Sequence, residues 1–510
     1  MEAEVELKLA TTRDDLPQLE QALLNVTGYA SVQPTMVEST CYDTDVDGLK
    51  CAGVALQVRQ QNGAYTQTVT REDTRGTAPF ARYSWEDVIG SERPDLRAPN
   101  GGAHLPKPLA DTELRARFTT VVQRTLFTLE PDGSTQIAGT IDEGEIRTTE
   151  NERTEPICEI GLQLRRGDPA ALYGTGLRLL ELVPLRIEVR SEAERGYRLL
   201  ESATARPQAV HSLPFDLEHD LTVEESLQEI GSGSLILLLR NELAALAEVS
   251  DGIHQMRVAV RRLRSVIGTM RRLLPPEQYE WVSQELRWIA DVLGPARNWD
   301  VFSQSLLAPV MSALPSEQDL GELCRLSEQE RRAARERAST EIRSPRYTSA
   351  LLKLSQWFTS RSWRDQPVSE QSALLMAPIE TVAPILIGRR HKKVREAAEG
   401  LLELTPQRRH EFRIAVKKLR YTIEVFRDLF DSDKVAEFLR FLKPLQDDLG
   451  YANDVEVAHE FLTDLQISAG AVNIAHAAGL VIGWHDRGIA DLDRKLSKRL
   501  RKLRRMRPFW

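Results

Sequence analysis

The chain has few cysteines and few aromatic residues, and it has no long apolar run. Its 510 residues include four cysteines, and 6% are aromatic. The cysteines have neither CxxC spacing nor the density of a disulfide scaffold. No run of about eighteen apolar residues occurs, so no membrane-spanning helix is predicted. The opening MEAEVELKLA lacks the basic start and apolar core of a secretory signal. Together these absences favour a reducing cytoplasm.

Motifs of several common chemistries are also absent. The sequence contains no GxxxxGK loop, no zinc-ligand spacing and no Ser/His/Asp pattern. The composition is otherwise that of a soluble globular protein, with 41% hydrophobic and 28% charged residues. None of these motifs therefore offers a chemistry for this chain.

Charge is distributed unevenly between the two halves. The net charge is -8 overall. Residues 1–210 hold 23 Lys and Arg against 33 Asp and Glu, whereas residues 211–510 hold 44 against 42. An acidic half and a mildly basic half in one chain predict two domains with different ligands.

The hydrophobic periodicity changes near residues 201–220. Before it, period-2 runs such as 4–9, 55–59 and 157–164 predict strands, separated by turn signals. After it, a period of 3.6 predicts an all-α bundle. The expected fold class is a two-domain α+β protein: an antiparallel, tunnel-like β-barrel with helices, then two duplicated four-helix bundles. The expected domains are 1–204 and 221–510, joined by a linker at 205–220, with repeats at about 221–345 and 375–510.

An internal repeat of 156 residues is the most specific feature of the chain. The segment that begins His254-Gln-Met-Arg257-Val-Ala-Val-Arg261 aligns without a gap on His410-Glu-Phe-Arg413-Ile-Ala-Val-Lys417. On a helix, the histidine and the cations at offsets 3, 7 and 10 lie on one face, opposite an apolar stripe. A fixed period of this length indicates duplication of a multi-helix unit.

Each repeated helix places like charges three and four residues apart. Such pairs cost a few tenths of a kcal/mol each, so the pattern calls for an anion. Acidic side chains on neighbouring helices could supply it, and so could a ligand with closely spaced charges such as linear phosphate. Arginine favours the ligand, because its planar fork matches phosphate oxygens.

The same offset of 156 residues aligns two segments further along the chain, Leu293-Gly294-Pro295-Ala296 and Leu449-Gly450-Tyr451-Ala452. Glycine is common just after the last turn of a helix, and Asn or Asp is common at the next N-cap. We therefore expect helices to end at Gly294 and Gly450, with Asn298 or Asp454 capping the helices that follow. A further basic group at 389–393 would widen the positive surface.

With these motifs the second half resembles the CHAD domain, a helical module of two four-helix halves. The resemblance covers roughly residues 215–510 and implies a basic groove that binds inorganic polyphosphate. The residues that would bind it are His254, Arg257, Arg261, Arg262, Arg264, His410, Arg413, Lys417, Lys418 and Arg420.

In the first half, Glu4, Glu6 and Lys8 alternate on one strand and so point to the same side. Two such carboxylates could share a divalent cation, although an exposed sheet face is the simpler explanation. The pattern resembles the start of the CYTH domain, a triphosphate tunnel metalloenzyme fold. That resemblance implies an Mg or Mn site formed by Glu4, Glu6, Asp142 and Glu159. It also implies phosphate contacts from Lys8, Arg59, Arg82 and Arg124.

This half also departs from the family pattern at basic and acidic positions. The residues found instead of the expected charged ones are Gln57, Thr70, Leu126, Gly161, Gln163 and Glu192. Each lost contact to a transition state typically costs about 10²–10³ in rate. We therefore expect little of the family's hydrolytic activity.

The sequence accordingly predicts a cytoplasmic polyphosphate-binding protein whose CYTH-like domain has reduced or lost inorganic triphosphatase activity. One alternative is an active Mg- or Mn-dependent triphosphatase that converts triphosphate to diphosphate and phosphate. A further alternative is nucleic-acid binding, which the lack of interleaved aromatic residues disfavours. The expected partners are polyphosphate or triphosphate, without a membrane, and polyphosphate granules are a candidate location.

Overall fold

The computed structural model describes residues 4–26, 29–72, 81–106, 113–149, 153–201, 205–211, 215, 217–399, 405–469, 472–503 and 506–510. The chain divides into two compact units. The first comprises Met1–Pro207 with Arg343–Ser362, and the second comprises Gln208–Ile342 with Trp363–Trp510. A helical segment from the second half of the sequence thus belongs to the first unit.

The first unit is built on an antiparallel sheet. Within the described residues its strands are β1 Glu4–Ala10, β2 Ala30–Ser31, β3 Thr35–Asp43, β4 Val54–Gln61, β5 Ala64–Glu72, β6 Ala81–Ile89, β7 Arg115–Asp132, β8 Thr135–Thr148, β9 Thr154–Arg166 and β10 Arg186–Ile187. They are hydrogen-bonded in the order β10-β1-β6-β5-β4-β3-β7-β8-β9, with additional pairings of β1 with β9 and of β2 with β7.

Helices complete the first unit and form the whole of the second. Within the described residues they are α1 Leu16–Leu24, α2 Gly48–Cys51, α3 Ala170–Leu180, α4 Glu192–Leu200, α5 Val223–Arg240, α6 Glu242–Leu246, α7 Ser250–Thr269, α8 Pro276–Val301, α9 Ala308–Ala313, α10 Gln318–Ile342, α11 Pro345–Thr359, α12 Ile379–Glu399, α13 Pro406–Val425, α14 Ser432–Ala469 and α15 Val472–Leu503. A π-helical segment, Phe302–Leu307, separates α8 from α9.

Alternation along β1 separates an apolar face from a polar one. Leu7 and Leu9 are fully buried. A methyl group at Gly176 of α3 would lie only 3.2 Å from Leu7 and 3.3 Å from Leu9, so α3 approaches this face closely. Glu6 and Lys8, the intervening residues, therefore occupy the opposite face of the sheet. This places the polar residues of β1 with the polar residues of β8 and β9, which are described below.

The expected helix ends at Gly294 and Gly450 are wrong. Helix α8 continues from Pro276 to Val301 and α14 continues from Ser432 to Ala469, so both glycines lie inside helices. Glycine within a helix costs only about 1 kcal/mol relative to alanine, and tertiary packing overrides that preference. Gly294 instead leaves room for the side chain of Arg257.

The predicted fold class is confirmed: an antiparallel sheet with helices precedes a helical region. Pro275 directly precedes α8, Pro315 lies between α9 and α10, and Asp431 directly precedes α14. The proposed domain limits at 204 and 221 stay predictions. In the described part of the chain, no helix has both the length and the apolar character needed to cross a membrane.

Candidate functional site

Helices α7 and α13 carry the two copies of the repeated motif, and each buries its apolar stripe. The eight stripe residues are at most 1% exposed: Met256, Val260, Leu263, Ile267, Phe412, Val416, Leu419 and Ile423. Burying such a side chain contributes about 1.5–3 kcal/mol. That burial fixes the rotation of both helices, and therefore determines where their cationic faces lie.

The two cationic faces lie together. The guanidinium carbon of Arg261 on α7 is 4.7 Å from the ring centroid of Tyr421 on α13, a cation–π contact. The hydroxyl oxygens of Thr269 and Thr422, one on each helix, are 3.2 Å apart. The two helices are thus in direct contact, and the charges of α7 act on Lys417 of α13.

Helix α8 adds Arg297, which the sequence analysis missed. Its charge acts on His254 and Arg257 of α7. The sequence predicts a helix end near Arg297, and the aligned residue of the second copy is Asn453, so the repeat does not mark this position as cationic. We call Arg257, Arg261, Arg297, Arg413 and Lys417 the cationic cluster.

The cationic cluster lacks ion-pair partners among the residues that the structure describes. Among the described residues, no carboxylate lies within 4 Å of any of its five charged groups. The side chain of Arg257 donates a hydrogen bond to the carbonyl of Ala290 at 3.2 Å. The buried Nε of Arg261 has no hydrogen-bond partner in the described part of the chain. The Asp454 carboxylate lies beyond ion-pair distance of Arg297 and Arg413, but it is near enough for its charge to oppose the lowering of their pKa values by burial.

Burial and, after it, mutual repulsion lower pKa values in and beside the cationic cluster. Burial, followed by the charges of Arg413, Arg261, Arg257 and Arg264, lowers the pKa of Lys417 to about 7. Burial and the neighbouring arginines also lower the pKa of Arg257 to about 10. Burial, followed by Arg297 and Arg261, lowers the pKa of His254 to about 4. Each shift favours loss of a proton, as expected where positive charge is crowded and unmatched.

Gly294 makes room for this arrangement. A methyl group at residue 294 would lie 3.2 Å from Nη1 of Arg257, tighter than ordinary van der Waals contact. The same Nη1 atom reaches the carbonyl of Ala290, one turn earlier on α8. The glycine therefore lets a site arginine lie against the backbone of α8. At the equivalent position, a methyl group on Gly450 would meet no neighbouring atom within 4 Å in the described part of the chain.

His410 and Arg413 also line a solvent-open pocket at the N-terminal end of α13. Its other polar lining residues are Arg409, Asn453, Glu456 and His459. His459 lies 3.5 Å from Asp486. The second copy therefore extends the cationic surface into a concave site that contains both basic and acidic groups.

The remaining predicted residues of the second half are placed differently. Arg420 pairs with Glu424 at 2.7 Å, so its charge is matched. Arg262 lies over the ring of Phe215 at 5.7 Å. Arg264 and Lys418 are exposed. Of these four residues, Arg264 and Lys418 are therefore the most accessible to an anion in solvent.

Part of the basic group at 389–393 adjoins α7 and α13. Arg390 donates from Nε and Nη2 to the Thr269 hydroxyl at 3.0 and 2.9 Å. The charges of Arg390 and Lys393 contribute, after burial, to lowering the pKa of Lys418. Helix α12 therefore adds positive charge next to the two repeated helices.

In the first unit, the predicted site residues form ion pairs with one another. Arg124 donates to both carboxylate oxygens of Asp142, at 2.6 and 2.8 Å. The Lys8 ammonium lies 3.5 Å from Glu159 and 3.9 Å from Glu192. Glu159 also accepts from Arg195 at 2.9 Å. On the polar face of this sheet, Lys8, Arg124 and Arg195 therefore each have a carboxylate partner, in contrast to the cations of the cationic cluster.

Other predicted residues of the first unit lie apart or outside the described atoms. Arg59 pairs with Glu86 at 3.3 Å. The backbones of Glu4 and Arg82 are partners across β1 and β6, whereas their side chains lie outside the described part of the structure. Their predicted roles in metal and phosphate binding stay predictions.

The described side chains do not fit a divalent metal ion as they are arranged. Among them, no group of three or more His, Cys, Asp or Glu side chains is placed to hold one. Asp142 and Glu159 are register partners across β8 and β9. However, Arg124 occupies both oxygens of Asp142, and two cations contact Glu159. An Mg or Mn ion would have to displace these cations.

Two domain families match the chain. The family model for the CYTH domain matches residues 2–197, and the model for the CHAD domain matches residues 233–463. The uncharacterized protein Rv2226 of Mycobacterium tuberculosis (strain H37Rv) is 29% identical over 242 residues. That match spans 46% of this chain and 44% of the relative, so less than half of the relative's length is covered.

Solved structures similar to each half are known. The CHAD domain from the plant Ricinus communis is 28% identical, and the match covers 60% of this chain and 98% of that chain with a TM-score of 0.49. HpAC1 from Hippeastrum, reported with a dominant triphosphatase activity, is 12% identical. Its match covers 38% of this chain and 95% of that chain with a TM-score of 0.26.

We predict that Lys417→Met stabilises the unliganded protein at pH 6. The folded-state pKa of Lys417 is lowered to about 7 from an ordinary 10.5, so the unfolded chain binds the proton more readily between these values. The contribution of Lys417 to stability therefore rises with pH across that window and is most unfavourable below pH 7. We expect the free energy of unfolding in denaturant to increase by about 1–3 kcal/mol at pH 6 and by less at pH 10.

The exposed Lys443→Met provides the matched control, and its stability should change little at either pH. A Lys417→Met protein that is less stable than the parent at pH 6 would contradict the assignment of unmatched charge to this position.

Proposed function

We propose that this chain, which carries a CYTH domain at residues 2–197 and a CHAD domain at residues 233–463, binds inorganic polyphosphate at its cationic cluster. The observation that carries the proposal is that the cluster's five cations adjoin each other on three helices and lack ion-pair partners among the described residues. In the proposed complex the phosphate polymer supplies the missing anions.

The chemistry of the cluster suits a linear phosphate chain. Each internal phosphate is charged at neutral pH, and its oxygens are closely spaced along a flexible backbone. Arginine guanidinium groups bind such oxygens in a bidentate manner, whereas lysine acts as a point charge. The burial of Arg257 and Lys417 strengthens each contact, because the local dielectric is lower than that of water.

We further propose that the CYTH domain of this chain has reduced or lost triphosphatase activity. Enzymes of this family depend on a divalent metal. The ion pairs of Asp142 with Arg124 and of Glu159 with Lys8 and Arg195 engage both the metal-ligand and the phosphate-contact positions. Phosphoryl transfer requires these groups to stabilise charge on the phosphate in the transition state.

The first test of the proposal is charge removal at the cationic cluster. A full-length variant with Arg257→Gln, Arg261→Gln, Arg413→Gln and Lys417→Met should bind long-chain polyphosphate at least about 100-fold more weakly in fluorescence titration. Each charge-assisted contact is worth about 1.5–3 kcal/mol. The dependence of affinity on salt should also become shallower, because fewer counterions are released.

The matched control removes the same number of charges elsewhere. Arg325, Arg332, Arg337 and Lys443 are exposed, and their replacement by Gln or Met should leave affinity within a few-fold. Full affinity in the cluster variant would contradict the proposal. Equal or tighter binding of RNA at the same salt concentration would favour a nucleic-acid-binding function instead.

Affinity for long-chain polyphosphate should fall as the pH rises above about 7. Lys417 faces Arg257, Arg261 and Arg264 of α7 and Arg413 of its own helix, and its pKa in the free protein is about 7. A bound anion raises that pKa, so binding takes up a proton when the free lysine is neutral. Calorimetry in buffers of different ionisation enthalpy should detect this uptake at pH 8 and little of it at pH 6.

Lys417→Arg keeps the charge at all these pH values and should flatten the profile. Long chains have few terminal phosphates, so titration of the ligand contributes little. A parent protein with no pH dependence, or a slope that persists in Lys417→Arg, would exclude Lys417 as the titrating group.

Hydrolysis of tripolyphosphate tests the alternative function. With Mg or Mn present, we expect phosphate release by the parent protein to be no faster than by a Glu4→Ala/Glu6→Ala variant. A metal-dependent rate that this double substitution reduces by about 10² or more would establish an active triphosphatase instead.

A further inference from the structure

Lys417 is the lysine of the cationic cluster, and its amine differs from that of a paired surface lysine. The residue is partly exposed. Its amine has neither a hydrogen bond nor an ion pair with any residue that the structure describes. Arg413, one turn earlier on α13, lines the solvent-open pocket described above. A small reagent in solvent therefore has access to this amine.

The charges that act on this amine come mainly from arginines on two helices. They are Arg257, Arg261 and Arg264 of α7 and Arg413 of α13. Asp454 of α14 also interacts with Lys417, from beyond ion-pair distance. Burial, and after it the four arginines, lower the pKa of Lys417 from 10.5 to about 7. Lysine acts as a nucleophile only in its neutral form, and desolvation or a neighbouring cation produces that form near neutral pH.

We infer that Lys417 is an acylation site whose reagent is an acyl phosphate, a small molecule in which a carbonyl carbon is joined to a phosphate group. The arginines around Lys417 bind the phosphate oxygens, because a guanidinium group matches them in a bidentate manner. Binding of the phosphate holds the carbonyl carbon beside the amine. The juxtaposition of an unpaired amine and several guanidinium groups therefore selects a reagent that is both anionic and electrophilic.

The acyl transfer needs no reactant besides the acyl phosphate. The lone pair of Nζ attacks the carbonyl carbon, an N–C bond forms, and the bond from that carbon to the phosphate oxygen breaks. The electron pair of the broken bond leaves with the phosphate, which takes up the proton that the amine loses. The products are an amide on Lys417 and hydrogen phosphate. The guanidinium groups stabilise the charge on the departing phosphate.

A bound acyl phosphate leaves part of the amine neutral, whereas polyphosphate does not. The acyl phosphate brings two negative charges to the four arginines that act on Lys417, so positive charge stays in excess. Polyphosphate brings more charges, protonates the lysine and covers it. Acylation in turn removes the charge of Lys417 and weakens polyphosphate binding. This mutual exclusion rests on the proposed function, whereas the acylation itself does not.

The test compares two acetylating reagents on the full-length protein at pH 8, with the rate at each lysine measured by mass spectrometry. Acetyl phosphate carries a phosphate, whereas 4-nitrophenyl acetate transfers the same acetyl group but carries no net charge. The ratio of the two rates at one lysine cancels the reactivity of its amine and reports binding of the phosphate. We expect this ratio to be at least about tenfold higher at Lys417 than at the exposed Lys443, because charge-assisted contacts hold the phosphate only at Lys417.

The rate with 4-nitrophenyl acetate also has an expected pH profile. At Lys417 it should level off above about pH 8, because the amine with a pKa of about 7 is then already neutral. A lysine of ordinary pKa continues to gain reactivity up to about pH 10. A rate at Lys417 that rises steadily to pH 10 would overturn the inference.

Removal of two arginines tests the phosphate contacts. In Arg261→Gln/Arg413→Gln, the ratio at Lys417 should fall to about that at Lys443, because one guanidinium group is lost from each repeated helix. The control Arg325→Gln/Arg332→Gln removes two exposed arginines of α10 and should leave the ratio unchanged. An unchanged ratio in a folded Arg261→Gln/Arg413→Gln protein would overturn the inference. If that variant does not fold, equal ratios at Lys417 and Lys443 in the parent protein overturn it.

Failure of the proposed function has a different signature, because both rates are measured without polyphosphate. Long-chain polyphosphate added afterwards should protect Lys417 from acetyl phosphate and leave the rate at Lys443 unchanged. A high ratio at Lys417 without protection would support the acylation site and contradict polyphosphate binding at the cationic cluster. Protection with equal ratios at the two lysines would overturn the acylation site and leave the proposed function intact.

Discussion

Repulsion among the like charges of α7, α8 and α13 is the constraint on which the cationic cluster and its proposed function depend. The buried apolar stripes of α7 and α13 hold the cationic faces against each other, although the charges oppose that approach. Burial, and after it the repulsion between these charges, lowers the pKa values of Lys417 and Arg257 in the unliganded protein. In the proposed function a bound polyanion would offset this cost, which is the usual trade-off between stability and function.

The buried cations of the first unit differ from those of the cationic cluster in having carboxylate partners. Its polar sheet face contains Lys8, Arg124 and Arg195, which are largely buried, but each of these three cations has a carboxylate at 2.6 to 3.5 Å. Removing one partner of such a buried pair would be strongly destabilising, because the other charge would be left unmatched. Among the described residues, the buried cations of the first unit therefore form ion pairs, whereas those of the cationic cluster do not, and the proposed function assigns the latter to a ligand.

The repeat made much of the helical site predictable. Offsets of 3, 7 and 10 residues place cations on one helix face whatever the tertiary structure, and the stripes of α7 and α13 follow this rule. Arg297 and the clearance at Gly294 were not predictable, because a glycine that ends a helix and one that makes room for an arginine look alike in sequence. Similarly, the sequence indicated that Glu192 replaces an expected lysine. Only the fold shows that this carboxylate lies beside Lys8.

The most direct test of the central claim is a crystal structure of the full chain with a medium-length polyphosphate. The account predicts density for consecutive phosphates in contact with Arg257 and Arg261 on one side and with Arg413 and Lys417 on the other. Phosphate density confined to the polar sheet face of the first unit, or in contact with only one of the two repeated helices, would contradict it.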